Sequence, residues 1–338
     1  MRKIKLGIMG FGEIGRSLYR LCLEDERIEV VAISDIGCPE ILHYLLTSTK
    51  GKALDVNLEG NFLVSSNGRA RMLRGTTPSQ VPWDSFDVDF VVDATGKYRN
   101  RAEMMEHIDS GAKRVILSFV PNDEIDRIVV MGVNEESIQV TDRLISPGSA
   151  TTNASAILLK ILDGAFGVDY ATLTAIHAYT ADQPLRDTAG LDFRRSRSAA
   201  ENIIPNVSPS IRWLPVILPN LAGKIAGTAL NVPVPSGSLL DLNTFLHKPN
   251  VTIDEVHAEM EKAAKRMPNI LLIENDPIVS SDVIGVRQSV VYDKQATMKS
   301  SGRILKTMSW FHASVSLAAR IKEIILAYDA IDKKGVTK

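Results

Sequence analysis

Cysteine is nearly absent from this chain: Cys22 and Cys38 are the only two in 338 residues. Two thiols are too few for a disulfide framework or a cysteine-ligated metal centre, and their scarcity suits a reducing compartment. No metal site is expected, and both read as structural, Cys22 on a buried helix face. Neither sign of charge is in excess, since 39 basic residues face 40 acidic ones. That balance removes the composition-level argument for a nucleic-acid partner or an anionic membrane surface, so any anion recognition must be local. Long apolar runs are missing as well, and no segment approaches a membrane span. The start, Met1-Arg2-Lys3-Ile4-Lys5-Leu6-Gly7-Ile8-Met9-Gly10, is basic and then apolar, but it meets glycine too soon for a signal-peptide core. Repeats, low-complexity tracts and flexible linkers are lacking too. These absences point to a compact cytoplasmic protein, and the length predicts two domains of about 150 residues each.

What is present begins with a nucleotide-binding pattern. Ile4 to Ile8 reads as an apolar strand, followed by Gly10-Phe11-Gly12-Glu13-Ile14-Gly15 and a helical pattern through Arg16, Leu18, Tyr19, Leu21 and Cys22. This is G-x-G-x-x-G in the strand-to-helix context that gives it meaning. Gly10 allows the tight turn, Gly12 lets the backbone approach a pyrophosphate, and Gly15 permits close helix–strand contact. A second strand, Val30 to Ser34, ends at Asp35, about 20 residues beyond the glycines, where a carboxylate can accept from ribose hydroxyls. It would repel a 2′-phosphate, so NAD is expected over NADP.

Further strands are predicted over Phe90 to Asp93, Val115 to Ser118, Ile128 to Val133 and Arg143 to Ser146, with a helix from Glu103 to Ser110. Strands alternating with helices imply a parallel sheet with the ligand at its carboxyl edge, which puts Thr95, Gly96 and Ser118 by the cofactor. Residues 49 to 85 are turn-rich and read as an antiparallel excursion. After the polar turn Ser146-Pro147-Gly148-Ser149 come a helix over Ala154 to Leu162 and strands over Ala171 to His177, Ile225 to Pro233 and Leu239 to Leu246. An amphipathic helix follows from Thr252 to Met267, then a strand from Leu305 to Trp310 and a last helix from Leu317 to Asp329. The fold class is α/β: a doubly wound Rossmann-type NAD-binding domain over 1–149, and an α+β catalytic domain with an antiparallel or mixed sheet over 150–315. The C-terminal helix, 316–338, is expected to pack back on the first domain.

Several stretches in combination resemble the glyceraldehyde-3-phosphate dehydrogenase family. They are the glycine loop Gly10 to Arg16, Met131-Gly132-Val133-Asn134, Thr151-Thr152-Asn153, His177-Ala178-Tyr179-Thr180, Arg194-Arg195-Ser196-Arg197, Ile203-Ile204-Pro205 and Val232-Pro233. The resemblance runs through nearly the whole chain and implies an oxidoreductase with NAD as cofactor. It places the cofactor on Gly10, Phe11, Gly12, Glu13, Ile14, Gly15, Asp35, Thr95, Gly96, Ser118 and Ala313. His177 becomes the general base, and Ser149, Thr151, Thr180, Asp182, Arg195, Ser208 and Asn231 the substrate and phosphate site. It also implies a small anionic, phosphorylated aldehyde as substrate and a homotetramer built through residues 178 to 205.

Departures from the family pattern are as informative. The family's nucleophilic cysteine precedes the paired threonines, and here that position is Ala150. A methyl group cannot form a thioester, so the acylating route is closed. Asn231 stands where the family has a phosphate-holding arginine, Ala313 replaces a nicotinamide-contacting asparagine, and Ala154 replaces a second common cysteine. Glu13 takes an arginine position, Ser208-Pro209 a threonine–glycine pair, and Phe119 a small residue. An engineered change and natural divergence both account for Ala150, and the other departures favour divergence. Arg186 and Arg212 are candidates to replace the lost charge. Of the other histidines, only His312 has a context near the site. Two functions follow: an NAD-dependent oxidoreductase acting on a small anionic aldehyde with altered chemistry, or a catalytically silent relative that binds nucleotide or metabolite and acts through a partner.

Overall fold

The computed structural model describes residues 2–48, 54–190, 192–300 and 302–336. Contacts divide the chain into two units: residues 1–129, 135–148 and 317 onward in the first, 130–134 and 149–316 in the second.

The first unit runs β1 (Ile4–Met9), α1 (Glu13–Leu23), β2 (Ile28–Ser34), α2 (Pro39–Thr47), β3 (Val56–Glu59), β4 (Phe62–Ser65), β5 (Gly68–Leu73), β6 (Phe90–Asp93), α3 (Arg101–Asp109), β7 (Arg114–Leu117), β8 (Arg127–Ile128) and β9 (Leu144–Ser146). Among the described residues these strands form one sheet in the order β3-β4-β5-β2-β1-β6-β7-β9-β8. Pairing is parallel from β5 across to β8. The excursion is antiparallel through β3, β4 and β5, as its alternation predicted, although residues 49–53 of that stretch lie outside the described ones. Central strands carry continuous apolar runs because both faces are covered: β6 is Phe90-Val91-Val92-Asp93, every residue buried. Trp83, Val91, Met104, Val115 and Leu144 form the core on one side.

The second unit holds α4 (Ala150–Phe166), β10 (Val168–Ala178), β11 (Ile204–Asn206), α5 (Ser210–Ile217), β12 (Ile225–Val232), β13 (Ser238–Leu246), α6 (Ile253–Arg266), β14 (Leu271–Glu274), β15 (Val290–Lys299) and β16 (Ile304–Phe311). Its described strands make a mixed sheet ordered β11-β12-β10-β13-β16-β15-β14. In β13 buried and half-buried residues alternate strictly, the mark of a sheet with one covered face. α4 is buried along nearly its whole length, from Ala150 to Phe166, and so extends the expected 154–162 helix at both ends. α7 (Ala313–Val336) closes the chain. From Leu317 on it belongs to the first unit, with Ile321, Ile324, Ile325 and Tyr328 fully buried and Lys322 Nζ bonded to Leu21 O at 3.3 Å.

One expected element is corrected. The strand over Ile128 to Val133 ends at Ile128. Gly132 takes φ +85°, Val133 N donates to Val130 O, and the Asn134 side chain accepts from Val130 N at 2.7 Å. After Val129 N, which still donates to Ser146 O, the backbone closes on itself and leaves the ladder.

Candidate functional site

At the carboxyl edge of the first sheet the chain leaves β1 through Gly10, whose φ of +89° only glycine adopts at no cost. A Cβ there would lie 2.7 Å from the Ala94 carbonyl carbon, and one at Gly15 would lie 2.2 Å from Gly10 O. Gly12, between them, has nothing within 4 Å of its Cβ position. Two glycines therefore serve packing and the third leaves open backbone at the helix N-terminus, where anions are favoured. Asp35, just past β2, accepts Phe11 N at 2.6 Å and Gly37 N at 2.8 Å. It holds the loop as well as offering a carboxylate for ribose. Phe11 is buried edge-on against Tyr19 at 5.7 Å, and Ile14 is half-buried. Glu13 is exposed in the first turn of α1, which suits the helix dipole but opposes an anion at the same end.

Thr95 and Gly96 follow β6 on the same edge. Asp93 Oδ1 accepts both Thr95 N at 2.9 Å and Thr95 Oγ1 at 2.7 Å. Gly96 has φ +71° and lies against the Phe119 ring, while Arg99 Nε donates to Gly96 O and its guanidinium stacks on Phe119 at 4.6 Å. Ser118, at the end of β7, is fully buried, and its Oγ bonds no described residue. An open glycine backbone, a ribose-ready carboxylate and an orphaned buried hydroxyl fit a dinucleotide. Ala313 belongs to the second unit, half-buried at the start of α7.

In the second unit Ser149 caps α4: its Oγ accepts Thr152 N at 3.0 Å and shares hydrogen bonds with Thr152 Oγ1 and Ser210 Oγ. Ala150 is the first helical residue, 6% exposed. A helix N-terminus favours an anionic group, and at this one Ala150 presents only a methyl. Thr151 comes next, and its Oγ1 lies 2.9 Å from His177 Nε2 at the end of β10. The imidazole packs edge-on against Phe311 at 6.1 Å, and desolvation pushes its pKa down to about 4. His177 is therefore neutral at physiological pH.

The ladder of β10 with β12 sets His177 beside Asn231, and parallel partners share a sheet face. Asn231 is buried and donates from Nδ2 to Gln183 Oε1 at 3.0 Å. Thr180 Oγ1 donates to Asp182 Oδ1, and Arg195 Nη2 pairs with Asp182 Oδ2 at 2.5 Å, so cation and carboxylate neutralise each other. Ser208 is buried two residues before Ser210, the hydroxyl partner of the Ser149 cap. Thr151, His177, Asn231, Gln183, Thr180, Asp182 and Arg195 are thus tied together pairwise by hydrogen bonds or by register, whereas Ser149 bonds Thr152 and Ser210 instead. The Arg212 guanidinium stacks on Trp213 at 4.9 Å, and Arg186 is exposed.

Comparison with known proteins gives the family. Residues 4–101 match the family model "Glyceraldehyde 3-phosphate dehydrogenase, NAD binding domain", and residues 149–313 the model "Glyceraldehyde 3-phosphate dehydrogenase, C-terminal domain". The chain belongs to the glyceraldehyde-3-phosphate dehydrogenase family. It is 37% identical over 338 residues to glyceraldehyde-3-phosphate dehydrogenase 1 of Bacillus subtilis (strain 168), covering 98% of this chain and 99% of that protein. Glyceraldehyde-3-phosphate dehydrogenase 2 of the same organism is 38% identical over 328 residues, covering 96% of each chain. The Mycobacterium avium enzyme is also 38% identical, over 333 residues, 95% of this chain and 97% of that one. NAD is the cofactor of this dehydrogenase fold. No described helix is long and apolar enough to cross a membrane, and no described cluster of histidine, cysteine and acidic residues could hold a metal ion.

Two features of this family member escape sequence reasoning. Gln183 is buried and bonded to Asn231, yet nothing in its spacing marks it. His107, expected as surface or structural, is fully buried: Trp83 Nε1 donates to its Nδ1 at 3.0 Å and its Nε2 reaches Asp93 Oδ2 at 3.2 Å. That chain ends on the carboxylate that shapes the Thr95–Gly96 turn.

Proposed function

We propose that the chain is an NAD-dependent oxidoreductase that moves hydride directly between the cofactor and a small hydroxyl or carbonyl substrate, with no acyl-enzyme. The observation that carries this reading is the neutral His177 imidazole, bonded through Nε2 to the Thr151 hydroxyl, beside an alanine at the nucleophile position. Bound NAD supplies the hydride acceptor. In the oxidative direction the substrate hydroxyl gives its proton to Thr151 Oγ1, whose own proton passes to His177 Nε2. The substrate C–H leaves as hydride and the carbon–oxygen double bond forms, so two electrons and one proton are accounted for. With no thioester to cleave, inorganic phosphate has no part in the reaction.

The substrate is small and carries an anionic group, for which Arg195 is the cation at hand, exchanging Asp182 for the ligand. We further propose a homo-oligomer, a tetramer by analogy with the family. Phe193 at 97% exposed, Val207 at 79% and Ile203 at 66% are large apolar side chains in or beside the 178 to 205 segment, and a second copy would cover them. A cytoplasmic setting fits the two free thiols.

The test is a screen of small alcohols and carbonyls against NAD and NADH, run on this chain and on Ala150→Cys. The unaltered chain should interconvert an alcohol–carbonyl pair with no phosphate requirement, while Ala150→Cys gains phosphate-dependent aldehyde oxidation. Turnover absent in the unaltered chain across the screen, with NAD bound, would sink the direct-transfer reading. A monomer at micromolar concentration in light scattering would sink the oligomer.

A further inference from the structure

The buried amide pair beside His177 carries an inference about substrate class. Asn231 is 8% exposed and Gln183 6%, so both amides are nine-tenths withdrawn from water. Gln183 Oε1 is fully used: it accepts Asn231 Nδ2 at 3.0 Å and Thr180 N at 3.1 Å, and lies 3.4 Å from Thr180 Oγ1. Its Nε2, by contrast, has no hydrogen-bond partner among the described residues. A buried donor with no acceptor is unfavourable, and native structures keep such groups chiefly where a ligand or water completes them.

Charge then limits what the acceptor can be. The cation tied to this turn, Arg195, is paired with Asp182 at 2.5 Å, and Asp182 also accepts from Thr180. Asn231 and Gln183 are neutral, and desolvation keeps His177 uncharged. A phosphate dianion placed against the two amides would be desolvated with no net positive charge to offset the loss. A hydroxyl or carbonyl oxygen meets no such penalty. Register puts Asn231 beside His177 on one sheet face, so an acceptor at the amides belongs to the same small molecule that reaches the imidazole. Access is through the exposed turn at Thr180 to Asp182.

We propose that Gln183 and Asn231 form a specificity subsite for an uncharged hydrogen-bond acceptor, a hydroxyl or carbonyl on the substrate arm next to the reacting carbon. This rests on the oxidoreductase reading for the identity of the reacting carbon. The subsite itself is tested by binding alone.

Calorimetry on the NAD-saturated full chain can use dihydroxyacetone and its phosphate ester as probes, because with oxidised cofactor the ketone is not reduced. The unaltered chain should bind both probes, the neutral ketone at the amide pair and the charge of the ester at Arg195. Gln183→Leu and Gln183→Glu, each checked by thermal unfolding, should weaken the neutral ketone about tenfold, the effect of one lost buried hydrogen bond. Asn231→Arg should shift the preference toward the ester by about tenfold or more, since a guanidinium restores the missing charge. An Asn231→Arg variant whose ratio of ester to ketone affinity is unchanged from the unaltered chain overturns the proposal. So does a folded Gln183→Glu variant that binds the neutral ketone unchanged. Selective binding without turnover in the separate redox screen supports the subsite and removes only the hydride-transfer reading.

Discussion

Lowering the pH should destabilise this protein specifically through His177, and the structure sets both sign and size. Desolvation holds the folded imidazole at about 4, against 6.5 when it is free in the unfolded chain. Between those values the unfolded state binds a proton that the folded state refuses, so stability rises with pH across this window. Above pH 6.5 neither state is protonated and the effect vanishes. Below about 4 both are protonated and the loss is complete. The shift corresponds to roughly 3 kcal/mol in total, a sizeable share of the 5–15 kcal/mol typical of a folded domain. His177→Gln keeps an acceptor for the Thr151 hydroxyl and removes the titration. Urea unfolding of both proteins across the window isolates the histidine, because the carboxylates and His257, itself lowered by burial, cancel in the difference. The variant should gain on the parent by roughly 3 kcal/mol from neutral pH down to about 4. A difference that stays flat would mean the ring is hydrated, and the neutral proton acceptor would go with it.

Three further outcomes follow from the geometry. Gly15→Ala puts a Cβ 2.2 Å from Gly10 O, so the glycine loop must shift, and NAD affinity measured by calorimetry should fall about tenfold or more. Ser149→Ala removes the α4 cap and its links to Thr152 and Ser210, which should cost about 1 kcal/mol in urea unfolding; an unchanged midpoint would show the cap to be redundant. Tyr328→Phe deletes the hydroxyl that donates to Asp142 Oδ2 at 2.8 Å, while Arg127 and Gln139 N still satisfy that carboxylate. The expected loss is about 1 kcal/mol, and one beyond about 3 kcal/mol would mean Asp142 depends on the tyrosine.

Local signals made the cofactor edge legible. Strand, glycines, helix and acid lie within Ile4 to Asp35, and the steric reason for Gly15, the Gly10 carbonyl, lies inside the same stretch. The second unit was harder because its site is assembled by non-local pairing. His177 and Asn231 are 54 residues apart in number and meet only through the β10–β12 ladder. Asn231 could be singled out by family position, but its partner Gln183 could not, since a lone glutamine in a polar turn has no distinguishing pattern. β14 and β15 were missed where half-buried, mixed sequence blurs the alternation. The false strand over Ile128 to Val133 shows the opposite error, an apolar run whose glycine turns it back on itself. Trp83 is fully buried, and its indole N–H also fixes which nitrogen of His107 faces Asp93.

The way α7 returns to the first unit bears on how the protein is made. Residues 1–129 and 135–148 leave the ribosome early, but the helix face bearing Ile321, Ile324, Ile325 and Tyr328, all fully buried, arrives last. So does Asp332, which pairs with Arg114, and Lys322, which lies 3.0 Å from Asp25. Until then Arg114 and Asp25 lack these partners, while the second unit already has every strand described for it. Domains usually complete themselves from the N-terminus during synthesis. Here the order is inverted: the nucleotide-binding half begins first and finishes second.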